Sequence, residues 1–258
     1  MDDSLVDPSN PSALPDTYLA TLGHLPAAGV AAVALAGVMT ALFGLGAGPP
    51  VAALVLFVLL AGLVVATTAL PHGEFGAGNR ITLARIIMVC LVGSALGAPA
   101  AALDDRMLWL LIPIAVIAAL LDALDGQVAR ATGTVSAFGA RLDMEADALF
   151  ILILSALLWH IDKVGAWVIA SGLARYAFVA SGLALPSLRM PLSPSRRRQT
   201  VCVVQVVALI VALAPLVPAL AASLIAAAAL ALLSWSFAID IAWLLRRRDA
   251  TPPGDAAP

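Results

Sequence analysis

The sequence predicts an all-α protein, a bundle of helices that crosses a membrane several times. Three observations carry that prediction. Of the 258 residues, 62% are apolar and only 12% are charged, whereas a soluble domain has about a quarter charged and just under half apolar. Mean hydropathy is +1.02, which excludes a water-soluble globule and a disordered chain. The apolar residues also fall in runs of the length needed to cross the hydrocarbon core, about 20 residues each. A net charge of −2, with the 14 basic residues spread over several loops and none before Arg80, argues against nucleic-acid binding.

Taken in order, the runs cover 26–46, 50–70, 81–98, 107–124, 146–161, 164–186, 200–218 and 220–245. Residues 1–25 precede them; from Met1 to Tyr18 they hold four aspartates, three prolines and no basic residue. A secretory leader would begin with a basic stretch, so an acidic solvated tail is expected here. The first two runs form a hairpin over 26–70, turned at Gly48-Pro49-Pro50 and set off from the rest by the segment Pro71 to Gly78. The remaining runs make a six-helix unit over 71–248, followed by a tail at 249–258. The fifth run is short because Asp143, Glu145 and Asp147 occupy its first turns. No internal repeat is visible. Cys90 and Cys202 both lie within apolar runs and read as small buried hydrophobes rather than a disulfide.

Orientation follows from the arginines. With both termini in the cytoplasm, inside loops and span ends hold Arg80, Arg85, Arg130, Arg141, Arg189, Arg196, Arg197, Arg198, Arg246, Arg247 and Arg248. The outside loops hold only Arg106 and Lys163, and Arg175 falls within a span. That asymmetry is the positive-inside signature. The five tryptophans fall mostly near span ends and suit interfacial anchoring.

The chemistry concentrates between Leu121 and Phe150. Asp122 and Asp125 stand at i,i+3 and share a helix face; Asp143 and Asp147 stand at i,i+4 and share another. Gly126, Gly133 and Gly139 lie between or beside the pairs and are expected to turn the chain back, so that two helices present four carboxylates to one point at the cytoplasmic edge. Such a cluster repels itself at the margin of a low-dielectric medium and calls for a cation. Oxygen-only ligands favour a hard ion: Mg²⁺ first, with Mn²⁺ or Ca²⁺ as alternatives. A carboxylate-bound pair of such ions suits phosphoryl transfer. Intramembrane carboxylates also build ion paths, which makes a cation- or proton-coupled transporter the rival expectation. Against it, these charges cluster at one interface.

The pattern Asp122-x₂-Asp125-Gly126-x₂-Ala129-Arg130-x₈-Gly139-x₃-Asp143-x₃-Asp147 resembles the signature of the CDP-alcohol phosphotransferases, membrane enzymes that move a phosphatidyl-type group from a CDP-linked lipid to an alcohol. Asn79-x₂-Thr82-x₂-Arg85 is similar to the start of that family's first core helix. The resemblance implies a six-helix membrane core with the first hairpin as an addition, a homodimer, and a cytoplasmic active site that takes CDP-diacylglycerol or a related donor and releases CMP. It further implies that Asp122, Asp125, Asp143 and Asp147 ligate two metal ions, with Asp147 also the general base. Gly126, Ala129 and Gly139 would admit the nucleotide; Arg130 would meet the diphosphate; Ser136, Asn79, Thr82 and Arg85 would contribute to holding the donor.

Two further features belong with that resemblance. Members that use phosphorylated acceptors carry a Gly-Lys-x-Lys-Thr-like pattern where this chain has Ser195-Arg196-Arg197-Arg198-Gln199-Thr200. Arg197 stands at the first lysine but Gln199 replaces the second, which weakens the match; Arg197 either meets an acceptor phosphate or anchors its span to anionic lipid. Arg175, inside a span, either meets the acceptor, pairs with an aspartate of the site, or makes a structural pair with a group such as Asp240. Glu145 is expected to support the site or to face solvent. The acceptor alcohol is left open.

Overall fold

The computed structural model describes residues 16–67, 76–133, 136–184 and 195–250. The acidic stretch before residue 16, the Pro-His-Gly linker, the Arg189 loop and the tail beyond 250 lie outside the described residues.

Among the described residues there are eight α-helices and no strand. They are α1 (Asp16–Phe43), α2 (Gly48–Thr67), α3 (Ala77–Ser94), α4 (Asp105–Ala131), α5 (Ala137–His160), α6 (Ala170–Ala184), α7 (Arg196–Leu213) and α8 (Ala219–Ala250). Each predicted run overlaps one of them, and α1, α4, α5 and α8 extend past their runs. Five of the helical stretches are long and apolar enough to cross a membrane: Gly23–Phe43, Gly48–Thr67, Ala77–Gly97, Asp105–Ala131 and Ala219–Leu244. The chain is thus a multi-pass membrane protein, and among the described residues fewer clear spans stand out than the eight predicted runs. Helix α5 carries Arg141, Asp143, Glu145 and Asp147 in its second and third turns, α7 begins with three arginines, and α6 is only 15 residues long, so these three are defined by packing within the bundle as much as by their own hydropathy.

Two caps and a turn set up the functional end. The Asp104 carboxylate accepts a 3.0 Å bond from the Met107 amide and starts α4. That helix runs past Asp122 and Asp125 to Ala131 and is closed by Gly133 at φ +67°, a left-handed conformation that glycine adopts without strain. Ser136 Oγ then accepts a 3.0 Å bond from the Gly139 amide and opens α5. Of the three glycines expected to reverse the chain, only Gly133 does so. Gly126 and Gly139 lie inside helices, because α4 continues about 9 Å beyond Asp125 at 1.5 Å per residue.

The core is formed where α3, α4, α5 and α7 meet, around Ile86, Val89, Leu111, Leu142, Leu154 and Leu209. Small residues allow close approach between these helices. A Cβ on Gly78 would lie 2.7 Å from that of Ala129, and one on Gly93 would lie 2.7 Å from Ile153 Cδ1; such sites let helix backbones approach closely in membranes. Helices α1 and α2 pack on α3, and the backbones at Gly48 and Gly97 touch, leaving no room for a side chain on either. The outward faces carry exposed apolar residues such as Val30, Leu42, Leu59, Leu120 and Leu224, as a lipid-facing surface does. Trp109, Trp159, Trp167 and Trp235 are each roughly half exposed.

Candidate active site

Arg85, in the third turn of α3, is the largest fully buried side chain in the bundle, at 1% exposure. A guanidinium cannot shed its proton, so its burial demands counter-charge, and four carboxylates supply it. Nη1 donates to Asp122 Oδ1, to Asp143 Oδ1 at 2.7 Å and, more weakly, to Asp125 Oδ2 at 3.3 Å. Nη2 donates to Asp147 Oδ1 at 2.7 Å and to the Asp143 carbonyl at 3.1 Å. The four aspartates of the α4 and α5 motifs therefore converge on one point, as their spacing predicted. Thr82, one turn before Arg85, places its hydroxyl 2.9 Å from Asp125 Oδ2 and 3.1 Å from the Gly78 carbonyl, and so fixes the most buried of the four acids.

One guanidinium against four carboxylates leaves three negative charges uncompensated if all are ionised. Asp122, Asp143 and Asp147 each offer an oxygen within 4.8 Å of the others. This half-buried, oxygen-only, electron-rich group fits a hard divalent cation and could hold one.

A pocket opens beside the cluster. Arg85, Asp122 and Asp147 form its polar end, and Ala119, Phe150, Cys202, Val203, Val206 and Val207 form an apolar wall between α4, α5 and α7. Cys202 Sγ lies 3.8 Å from Asp147 Oδ2. Cys90 is fully buried as expected, but Cys202 is half-buried and faces the acids; its place in an apolar run hid this, since α7 turns that edge toward α5 only through tertiary packing.

The other predicted residues divide by what they touch. Asn79 is buried, and its carboxamide oxygen fills the space beside Gly139 that a Cβ would occupy. Ala129 meets Gly78, and Ser136 caps α5. Gly139, Ala129 and Ser136 thus each have a task within the fold. Gly126 is different, since a Cβ there would meet only the Arg130 guanidinium, 3.3 Å away. Arg130 is exposed in the last turn of α4, where a positive charge also suits the helix terminus.

Arg175 and Arg197 reach separate acids. Arg175 Nη2 donates to Glu145 Oε1 at 2.7 Å, and Arg141 approaches the same oxygen at 3.1 Å. Asp240 is held instead by Arg197, with Arg198 at 3.4 Å. The alternative that paired Arg175 with Asp240 is thereby replaced, and Glu145 is buried rather than solvated. Arg197 also donates to the Ser236 carbonyl at 2.6 Å and lies 5.9 Å from the Trp235 ring centroid.

A family model described as CDP-alcohol phosphatidyltransferase matches residues 75–239, a stretch that begins just before α3 and contains Arg85, the four aspartates around it and every residue lining the pocket. The chain belongs to the CDP-alcohol phosphatidyltransferase family. It is therefore a membrane-embedded transferase, and its family moves a phosphatidyl group from a CDP-linked donor to an alcohol. No curated protein and no solved structure matches the chain. The α1–α2 hairpin lies outside the matched stretch.

Proposed function

We propose that this phosphatidyltransferase takes its phosphatidyl group from CDP-diacylglycerol, or a closely related CDP-linked lipid, passes it to an acceptor alcohol and releases CMP, as a step of phospholipid synthesis at the cytoplasmic face. The observation that carries the reading is the joining of four carboxylates and a buried guanidinium to a pocket with an apolar wall. A CDP-lipid has matching halves: a charged diphosphate and acyl chains.

Asp147 is the group best placed to take the acceptor's proton, because it lines the pocket while its other oxygen is oriented by Arg85. The acceptor oxygen then bonds to the lipid-side phosphorus, the bond from that phosphorus to the CMP oxygen breaks, and CMP leaves with the electron pair. Asp122, Asp125, Asp143 and Asp147 would hold Mg²⁺ ions, or Mn²⁺, which supply electrostatic stabilisation of the charge developing on the diphosphate. A carboxylate is a weak base, so alignment of the acceptor against the phosphorus must contribute much of the rate.

Arg130, exposed in the last turn of α4 with its guanidinium against Gly126, would meet the nucleotide's phosphates and, on moving to them, uncover the Gly126 backbone. Asn79 and Thr82 set the α3 side of the site, chiefly by holding Gly139 and Asp125 in place. Arg175 and Arg197 are already engaged with Glu145 and Asp240; an acceptor bearing a phosphate would compete with Asp240 for Arg197. The positive-inside bias supports a cytoplasmic position for this end of the bundle, and a homodimer is the expected assembly. Residues 26–70 act as a hairpin added to the six-helix unit.

The deciding experiment measures Mg²⁺-dependent CMP release from CDP-diacylglycerol by the purified full-length protein across a panel of acceptor alcohols. Release that requires one acceptor and vanishes in Asp147→Asn supports the reading and identifies the acceptor. A folded protein that releases no CMP with any acceptor overturns this choice of donor.

A further inference from the structure

Arg85 and a divalent cation have a claim on the same oxygens. The three carboxylates close enough together to share an ion, Asp122, Asp143 and Asp147, are all bound to the Arg85 guanidinium. Arg85 is 1% exposed and permanently charged, so a cation arriving among these acids meets an unscreened positive charge that no change of pH removes. One of the two must yield. The pocket offers Arg85 a second place to go, because it lines that space together with Asp122 and Asp147. A diphosphate in the pocket would present two acceptor oxygens in the geometry a guanidinium fork prefers. Asp125 keeps the Thr82 hydroxyl when Arg85 moves, so the deepest carboxylate stays oriented.

We propose that Arg85 is a displaceable counter-ion: it holds the four carboxylates together beforehand, and it moves to the donor's diphosphate as metal and donor bind, coupling the two binding events. The diphosphate half rests on the function proposed above; the competition with metal does not. Such coupling is reciprocal, and each ligand tightens the other by the same factor. A purely structural Arg85, serving to keep the acids from splaying apart, makes the opposite prediction: its loss weakens metal binding.

The test is Mn²⁺ binding to the full-length protein in detergent, read by electron paramagnetic resonance without lipid or acceptor, with and without CDP. The expected result is that Arg85→Met binds Mn²⁺ alone about tenfold more tightly than the wild type, and that CDP tightens Mn²⁺ binding less in the variant than in the wild type. Unchanged or weaker Mn²⁺ affinity in Arg85→Met overturns the competition, and equal tightening by CDP in both proteins overturns the move to the diphosphate. Should Arg85→Met fail to fold, Arg85→Gln removes the charge and keeps hydrogen-bond donors for the carboxylates; tightening of about threefold or more supports the inference, and none overturns it. Because the metal arm contains no lipid, tighter Mn²⁺ binding in a protein that releases no CMP would remove the transfer reaction and leave the competition standing.

Discussion

The buried Glu145 on α5, two residues along the helix from each of Asp143 and Asp147, pairs at 2.7 Å with the half-buried Arg175 on α6. Two residues are a rotation of about 200°, so Glu145 faces away from the acid cluster and ties that side of α5 to α6. Arg141 reaches the same carboxylate from one turn earlier. The pair therefore fixes the rotation of the helix that carries half the carboxylates.

Breaking one side of this pair should be costly. Arg175→Met leaves the buried Glu145 with Arg141 alone, and losing one charged hydrogen bond to a buried carboxylate costs about 1–3 kcal/mol. A clear fall in melting temperature in detergent is expected. The double variant Glu145→Leu/Arg175→Met removes both charges and should recover much of the loss; a double variant less stable than the single would contradict the pairing.

Asp147→Asn keeps the shape of the side chain but cannot take a proton. CMP release should fall by about 10²–10⁴-fold, the usual scale for a general base, while gel filtration shows the same folded species. Activity within tenfold of the wild type would assign the proton to another group.

The glycines of the motif can be separated by one substitution each. Gly139→Ala drives a methyl into the Asn79 carboxamide and should destabilise the protein by about 1–3 kcal/mol. Gly126→Ala meets only the tip of Arg130, so its melting temperature should match the wild type. If its KM for the CDP-lipid nevertheless rises, Gly126 is conserving space for the nucleotide rather than for the fold.

Cys202 offers a reporter of the pocket. A small membrane-permeant thiosulfonate at alkaline pH should modify Cys202, slowly because the carboxylates beside it disfavour its thiolate, and still faster than Cys90, which is 0% exposed. Inhibition that CDP slows, and that Cys202→Ser escapes, is the expected pattern. Equal inhibition of the Ser variant would locate the sensitive thiol elsewhere.

Much of this arrangement was legible from spacing alone. Apolar runs mark all eight helices, and the i,i+3 and i,i+4 aspartates converge because those intervals are fixed by the helix itself. What spacing could not reveal was pairing between helices distant in sequence. Glu145 with Arg175, Arg197 with Asp240 and Cys202 beside Asp147 all depend on how α5, α6, α7 and α8 rotate against one another. Arg85 was legible as part of a motif but not as the centre of four acids, since its burial is set by α4 and α5. The small residues show a third limit. Gly139 and Ala129 read equally well as space for a ligand or for a neighbouring side chain, and only the packing of Asn79 and Gly78 shows what fills that space.

The pocket's apolar wall has a consequence for traffic. Val203 and Val207 line the pocket, yet about half of each is exposed on the flank of α7, so the wall is continuous with the surface that meets acyl chains. On the proposed reaction, a diacylglycerol moiety can slide in from the leaflet and leave by the same flank without its tails ever meeting water. CMP, having no tails, partitions into the aqueous phase. The two products would then separate into different solvents, and that partition opposes the reverse reaction without any moving part.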